Sequence, residues 1–374
     1  MSDAVEDPAR RSPLLQLPGA VAATGPDAGV AWHYGDPLAE QRAAERSAVL
    51  LDRSHRGRLV VTGEDRNSWL HTVTSQHLAG LTDGTATEAL VLSPNGHVEH
   101  HFGVTAVDGV VHLDTEASVT AALLTYLDRM RFWSKVEIAD ATGTQALLTV
   151  AGPQADAVLR AALDVASLPG NGAATVIEGG WIRRADLGTL PGWDVSVPAD
   201  RLGTVASALL AAGARAAGSW AAEALRVTTR RPRLGLDVDD RTIPNEVAWL
   251  DTAVHLDKGC YRGQETVARV HNLGRPPRRL VLLNLDGSQD RLPEPGDAVT
   301  TAAGRTVGRV GTVVQHHEDG PVALALVRRG VEPGTPLLAG GVDAMIDPAD
   351  AAGSTVERGA DRIDRQGFRE VRRS

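Results

Sequence analysis

The chain has 374 residues, 43% of them apolar and 23% charged, and carries a net charge of −9. That length is too great for one compact core, and the acidic balance excludes a broad phosphate-binding surface. No run of eighteen apolar residues occurs, and a single cysteine, Cys260, excludes an internal disulfide framework, a Cys-rich zinc site and a four-cysteine iron–sulfur cluster supplied by this chain alone.

The opening MSDAVEDPARRSPLLQLPGA lacks a basic segment followed by an apolar core, so no export signal is expected and the cytoplasm is the default location. Residues 1–29 and 348–374 are polar, short of core formers, and expected as disordered tails. Between them, helical character runs over 40–51, a strand over 58–62 and a short helix over 64–72. A strand over 87–93 leads into the turn Ser93-Pro94-Asn95-Gly96, where Pro presets φ and Asn-Gly tolerates positive φ. A return strand over 97–105, another over 109–114 and an amphipathic helix over 118–131 complete a first unit, 30–144.

The pattern restarts at 145–150 with a strand. A helix over 154–162, strands over 181–186 and 193–197 and a helix over 201–212 make a second unit, 145–217. Another helix is expected over 221–229. Neither unit keeps a regular βαβ beat, so the class is α+β. From 279 to 347 the texture changes to short strands (280–285, 298–301, 306–314, 322–327) separated by Gly and Pro, the signature of a small antiparallel β-barrel.

The most informative segment is Lys258-Gly259-Cys260-Tyr261-Arg262-Gly263-Gln264-Glu265, with Arg269 four residues later. It matches the signature of the YgfZ-type folate-binding proteins, relatives of the glycine-cleavage T-protein. Leu51-Asp52-Arg53-Ser54, Gly63-Glu64-Asp65, Thr242-Ile243-Pro244-Asn245-Glu246 and the final barrel fall in the T-protein order, so the resemblance covers roughly 30–345. It implies a three-domain cloverleaf whose central hole holds tetrahydrofolate or a one-carbon derivative. It also implies that segment 218–278 completes the first, folate-binding domain. Members of this type are associated with the assembly or repair of iron–sulfur enzymes, including tRNA-modifying ones. The expected partners are therefore a reduced folate and iron–sulfur client enzymes, with no direct nucleic acid and no membrane. A monomer is expected, because a self-filling fold needs no partner to cover its core.

Carried onto this sequence, the resemblance nominates individual side chains. A pterin presents an adjacent amide N–H and amino group that one carboxylate can accept. In Gly192-Trp193-Asp194 the family's Glu is replaced by Asp194, and its upstream Tyr by Leu187. The alternative for Asp194 is a turn carboxylate capping a strand. Arg226 matches the T-protein arginine that faces the folate, the alternative being a helix-surface arginine. Trp193 and Trp249 are candidates to wall a ring, or are core. T-proteins carry a Gly-Gly-x-x-Asp-Asp segment that supports aminomethyl transfer. Here Gly96 to His101 places His100 and His101 at the aspartates, with His100 taken as a folate contact. An imidazole does not replace a fixed anion beside an iminium-like centre, so an aminomethyltransferase is the alternative and not the first reading.

His97, Glu99 and His101 share one strand face, yet three ligands on one short strand crowd each other, so no metal site is expected. Cys260, between Lys258 and Arg262 in a Gly-flanked turn, is the candidate reactive thiol if the chain is a one-carbon transferase. Gln264, Glu265 and Arg269 sit at helical spacing, and Arg269 is placed to clamp the loop. A non-catalytic module that binds a partner is the third reading.

Overall fold

The computed structural model describes residues 11–288 and 291–351. Two large sheets, a barrel and a two-stranded ribbon (Val21–Ala22 with Ala31–His33) make up the described fold. The first sheet is antiparallel throughout, in the order Thr85–Leu92, Val98–Val107, Val110–Thr115, Gly57–Thr62, Glu137–Asp140. Its first two strands are joined by the 93–96 turn, with Gly96 at φ 81°. Alternation puts Phe102 and Val104 on one face, and there they pack against Trp69 and Leu70 of helix Arg66–Val73 and Leu123 and Leu127 of helix Thr120–Arg129.

The second sheet runs Ala174–Ile177, Gly180–Arg184, Gly192–Pro198, Gln145–Ala151, Val49–Asp52, Arg215–Ala217. Only the last pair is parallel. Leu50 faces helices Ala155–Leu163 and Leu202–Ala211, whereas Val49 and Leu51 face helices Pro37–Arg46 and Ser219–Thr228. The helix expected over 40–51 therefore ends at Arg46, and the rest of that stretch is a strand. Covered on both faces, the strand opens as an unbroken apolar run, Val49–Leu51, without period-two alternation. Because this strand joins the second sheet, the linear boundary at 144 does not describe the packing.

Residues 11–29, expected as part of a loose tail, are built into the body. Leu14 is buried in the core of the second sheet, and Asp27 pairs with Arg233 at 2.9 Å. Of the C-terminal tail, Pro348–Asp350 forms a short 3-10 turn whose Asp350 pairs with Arg230. Residues 1–10 and 352–374 lie outside the described part. Helix Ser219–Thr228 packs on the second sheet and the barrel, while Trp249, Tyr261 and Val267 pack on Leu90, Leu92 and Val98 of the first sheet. The C-terminal unit is a closed six-stranded antiparallel barrel. Its order is Arg278–Leu285, Gly320–Arg328, Thr306–His316, Ala298–Thr301, Leu337–Ala339, Val342–Ile346, with the last strand pairing back to the first.

The signature segment is a clasp on the first sheet. The Lys258 ammonium donates to the carbonyls of His71, Thr74 (2.6 Å) and Gln76 (3.1 Å), capping the C-terminal end of helix Arg66–Val73, where carbonyls lack intrahelical partners. Burial pushes its pKa down to about 8. Tyr261 is buried, and Arg262 pairs with Glu99 at 3.1 Å. Gly263 opens helix Gln264–Leu273 at φ 81°, and a Cβ there would lie 2.6 Å from the Ser93 carbonyl and 2.7 Å from Gly96 Cα.

The two sheets exchange arginines around Trp181, which is fully buried between them. Arg58 of the first sheet reaches Ser196 of the second at 2.9 Å, while Arg183 of the second sheet reaches Asp114 of the first at 2.6 Å. Both guanidinium groups lie over the Trp181 ring, at 5.0 and 5.3 Å. Arg183 crosses at Gly103, where a Cβ would sit 2.6 Å from its Nη1 and 2.4 Å from Asp114 Oδ1.

Two outcomes are expected. Gly263→Ala combines an αL penalty of about 1–2 kcal/mol with the clash against the 93–96 turn, so its thermal midpoint falls below wild type in a melting scan. Arg183→Met leaves Asp114 buried without its nearest cation and costs about 3–5 kcal/mol at pH 7, read from denaturant unfolding. Burial raises the Asp114 pKa, but Arg183, Arg56 and Arg58 outweigh it and hold the carboxyl well below the usual range. That stability is present above pH about 4 and lost as pH falls, so the gap between variant and wild type narrows in acid. A gap that does not change with pH would assign the effect to packing.

Candidate functional site

A cavity of about 470 Å³ opens where the first sheet, the second sheet and the segment after helix Ser219–Thr228 meet. Seven arginines line it (Arg53, Arg56, Arg183, Arg184, Arg226, Arg231, Arg233) against five carboxylates (Glu88, Asp114, Glu116, Asp186, Asp194). By formal count the lining is net positive inside an acidic chain, although most of its arginines are paired.

Strand register builds one wall. Arg183, Asp194 and Thr149 are direct neighbours across three adjacent strands. Asp194 Oδ1 accepts from the Thr149 hydroxyl at 2.6 Å, and Oδ2 accepts from Arg183 at 2.7 and 3.1 Å. The opposite wall is an ion-pair chain. Arg56 holds Glu116 at 2.8 Å and Asp114 at 3.3 Å, and Arg233 holds Glu116 at 2.6 Å and Glu223 at 3.1 Å. For Glu116, burial raises the pKa, but Arg56 and Arg233 together bring it well below the carboxylate range. At the rim, Glu88 accepts from Arg231, Thr252 (3.0 Å) and the His101 ring (3.2 Å). Burial raises its pKa too, but Arg231 and His101 outweigh that effect.

Arg53 differs from the other six. Among the described residues it has no carboxylate within ion-pair distance, and its buried Nε has no hydrogen-bond partner. Burial, with Arg56 and Arg233 nearby, lowers its pKa. Glu116 and Asp194 pull the other way from farther off, so Arg53 is the cavity arginine without a directly paired carboxylate.

The nominated residues divide accordingly. Asp194 lines the cavity, with one carboxylate oxygen shared only with Thr149. Arg226 also lines it, but its donors are spent. Nε and Nη2 hold Glu223, Nη1 holds Asp237 at 2.8 Å and the Arg231 carbonyl, and Nη2 reaches Thr312 at 2.6 Å. A guanidinium has five N–H donors, so Arg226 offers a ligand only its flat face.

His100 turns away from the cavity. It is buried beside Tyr126 on the Phe102 side of the strand, and burial pushes its pKa down to about 4. His101, one residue on, faces the cavity and stacks on Trp249 at 4.6 Å. This corrects the expectation that His100 contacts the ligand: Phe102 marks the core face, and strand alternation takes His100 with it. Trp193 is likewise a core side chain that does not line the cavity. Its indole N–H donates to the Pro169 carbonyl, and Arg184 lies over its outer ring face at 4.4 Å.

In the signature, Cys260 is exposed and outside the cavity lining, and Gly259 is exposed beside it. Neighbouring cations are engaged elsewhere, Lys258 on carbonyls and Arg262 on Glu99. The Gln264 amide donates to the Lys258 carbonyl at 3.4 Å, so Gln264 secures the loop. Glu265 and Arg269 are exposed with no ion pair between them among the described residues. Glu99 and His101 take separate partners, Arg262 and Glu88. Among the cavity residues not nominated from sequence are Arg53 and Arg183. Each left a trace, Arg53 inside the matched Leu51-Asp52-Arg53-Ser54 and Arg183 as a charge within the apolar strand Gly180–Arg184.

Comparison with known proteins identifies the family and the fold. Residues 30–258 match the family described as GCVT N-terminal domain, and residues 278–353 match the CAF17 C-terminal beta-barrel domain. A putative chloroplastic transferase of Arabidopsis thaliana is 29% identical over 72% of this chain, which spans 62% of that relative's length. An aminomethyltransferase of Thermosynechococcus vestitus is 28% identical over 74% of this chain and 77% of its own. In three dimensions the chain resembles the glycine cleavage system aminomethyltransferase T from Bartonella henselae, with a TM-score of 0.78 and 22% identity over 89% of this chain and 94% of that one. That likeness is one of fold. With the first match covering more than half its length, the chain belongs to the GCVT family and carries a CAF17-type C-terminal β-barrel.

Proposed function

We propose that the protein binds a reduced folate, tetrahydrofolate or a one-carbon derivative, in the cavity between the two sheets. The observation that carries this reading is Arg53, without a directly paired carboxylate and with an unbonded Nε, in a cavity of seven arginines and five carboxylates. A folate is a bicyclic ring with a carboxylate-bearing tail. Asp194, with Thr149 and Arg183 fixing its oxygens, is placed to accept from the pterin, and Arg53 to meet a tail carboxylate. His101 stacked on Trp249 offers a flat wall.

Transfer of an aminomethyl group is disfavoured by the chain's own side chains. The two positions matched to the T-protein aspartates carry a buried neutral imidazole, His100, and an imidazole tied to Glu88, His101. The nearby carboxylates are each neutralised by arginine, which leaves no free anion to stabilise an iminium-like centre. We therefore favour a YgfZ-type accessory role, supporting assembly or repair of iron–sulfur enzymes, some of them tRNA-modifying, over aminomethyl transfer. The Lys258–Glu265 signature and the CAF17-type barrel support that reading. Cys260, exposed on the signature turn, is a residue to test for a chemical step of its own.

Calorimetric titration with tetrahydrofolate and 5-formyl-tetrahydrofolate tests the binding claim. Saturable binding is expected, weakened at least about tenfold in Asp194→Ala and in Arg53→Ala, the latter with a reduced salt dependence. No binding by the wild type would turn the assignment toward a partner-binding module. Methylene-tetrahydrofolate formation from an aminomethyl-lipoyl carrier, expected to be absent, would restore the transferase if observed. Deleting the protein is expected to lower the activity of iron–sulfur enzymes in extracts, with rescue by wild type and poor rescue by Asp194→Ala. Unchanged activities would remove the accessory role.

A further inference from the structure

The barrel hairpin between Thr306–His316 and Gly320–Arg328 carries His316 and His317, and it abuts helix Pro37–Arg46. Gln41 bolts the two together: its amide donates to the Gln315 carbonyl at 3.0 Å, and its carbonyl oxygen accepts from the His317 amide at 2.9 Å. The Trp220 indole N–H donates to the same Gln315 carbonyl at 3.4 Å. The backbone bearing both imidazoles is therefore fixed to a second rigid element.

At the end of a strand, alternation no longer separates consecutive side chains, and the two rings lie on the same side with centroids 4.7 Å apart. Glu45, one helical turn beyond Gln41, brings Oε1 to 2.9 Å from His317 Nε2. That contact lacks hydrogen-bond geometry, and Nε2 has no hydrogen-bond partner although the His317 side chain is only 4% exposed. One donor atom from each of Glu45, His316 and His317 lies within 4.8 Å of the others. Behind His316, Nδ1 accepts from the amides of Glu318 at 3.4 Å and Asp319 at 3.2 Å, with the Asp319 carboxylate 3.0 Å away, so the turn holds that ring through Nδ1. With Nδ1 occupied by the turn, Nε2 is the ring nitrogen left to bind a metal ion.

We propose that Glu45, His316 and His317 form a site for a divalent transition-metal ion, zinc fitting the donors best, which staples helix Pro37–Arg46 to the barrel. Two imidazoles and one carboxylate are a recognised zinc set that leaves a fourth position for water. The site is separate from the cavity, since none of its three residues lines it.

The test uses the full chain stripped with EDTA, titrated calorimetrically with zinc chloride and by visible absorption with cobalt(II). One equivalent is expected to bind, with d–d bands of a four- or five-coordinate cobalt(II) and a higher thermal midpoint in zinc. His317→Asn and Glu45→Gln should each weaken binding at least tenfold and abolish the thermal shift. His255→Asn, in the separate group of rings formed by His71, His77 and His255, should change neither. If His317→Asn does not fold, the half-buried Glu45→Gln decides alone. Absence of saturable binding, binding unchanged in Glu45→Gln, or an equal loss in His255→Asn would each overturn the proposal.

Discussion

One guanidinium joins the two sheets that wall the cavity. Arg183 lies on the second sheet, takes Asp194 from the adjacent strand and Asp114 from the first sheet, and lies over Trp181 between them. Each of these charges is expensive to remove from water, and the cost is met only because all three are placed together. The geometry is narrow. Gly103 must lack a Cβ for the side chain to cross, and Arg58 must reach back to Ser196 for the sheets to face each other in this register. The cavity is the space left beside this crossing.

From that constraint follows the division of labour among the cavity arginines. Arg56, Arg183, Arg226 and Arg233 are matched by carboxylates and shape the walls. Their charges are compensated before any ligand arrives, so they supply rigidity and polarity more than net attraction. Arg53 is the exception: it has no directly paired carboxylate, and burial with Arg56 and Arg233 nearby outweighs the pull of Glu116 and Asp194 on its pKa.

Sequence made some of this legible and not the rest, for physical reasons. Hairpins with Asn-Gly turns and barrel strands broken by Gly and Pro carry their geometry locally, so 93–96 and the barrel were readable. The strand Val49–Asp52 was not, because burial on both faces erases the alternation that identifies a strand. In the strand Val98–Val107 alternation was readable, but which parity faces the core was decided by Phe102 and Val104, and that choice exchanges His100 for His101 at the cavity. Arg226 was placed at the site by resemblance. That its donors are consumed depends on Asp237 and Thr312, which lie 11 and 86 residues away. Ion pairs such as Arg233 with Glu116, 117 residues apart, leave no local trace at all.

The saturation of Arg226 has a structural consequence for the whole chain. Its side chain ends on Thr312 of the barrel, and Asp237, which it also holds, accepts from the Thr312 amide at 2.7 Å through its other oxygen. Gly311 sits against Asp237 so closely that a Cβ would lie 2.5 Å from Oδ1. The wall of the cavity and the seat of the barrel are thus one hydrogen-bonded unit, and neither can shift without breaking buried, charge-assisted bonds. The barrel, which contributes no residue to the cavity lining, therefore fixes the cavity's shape through Arg226.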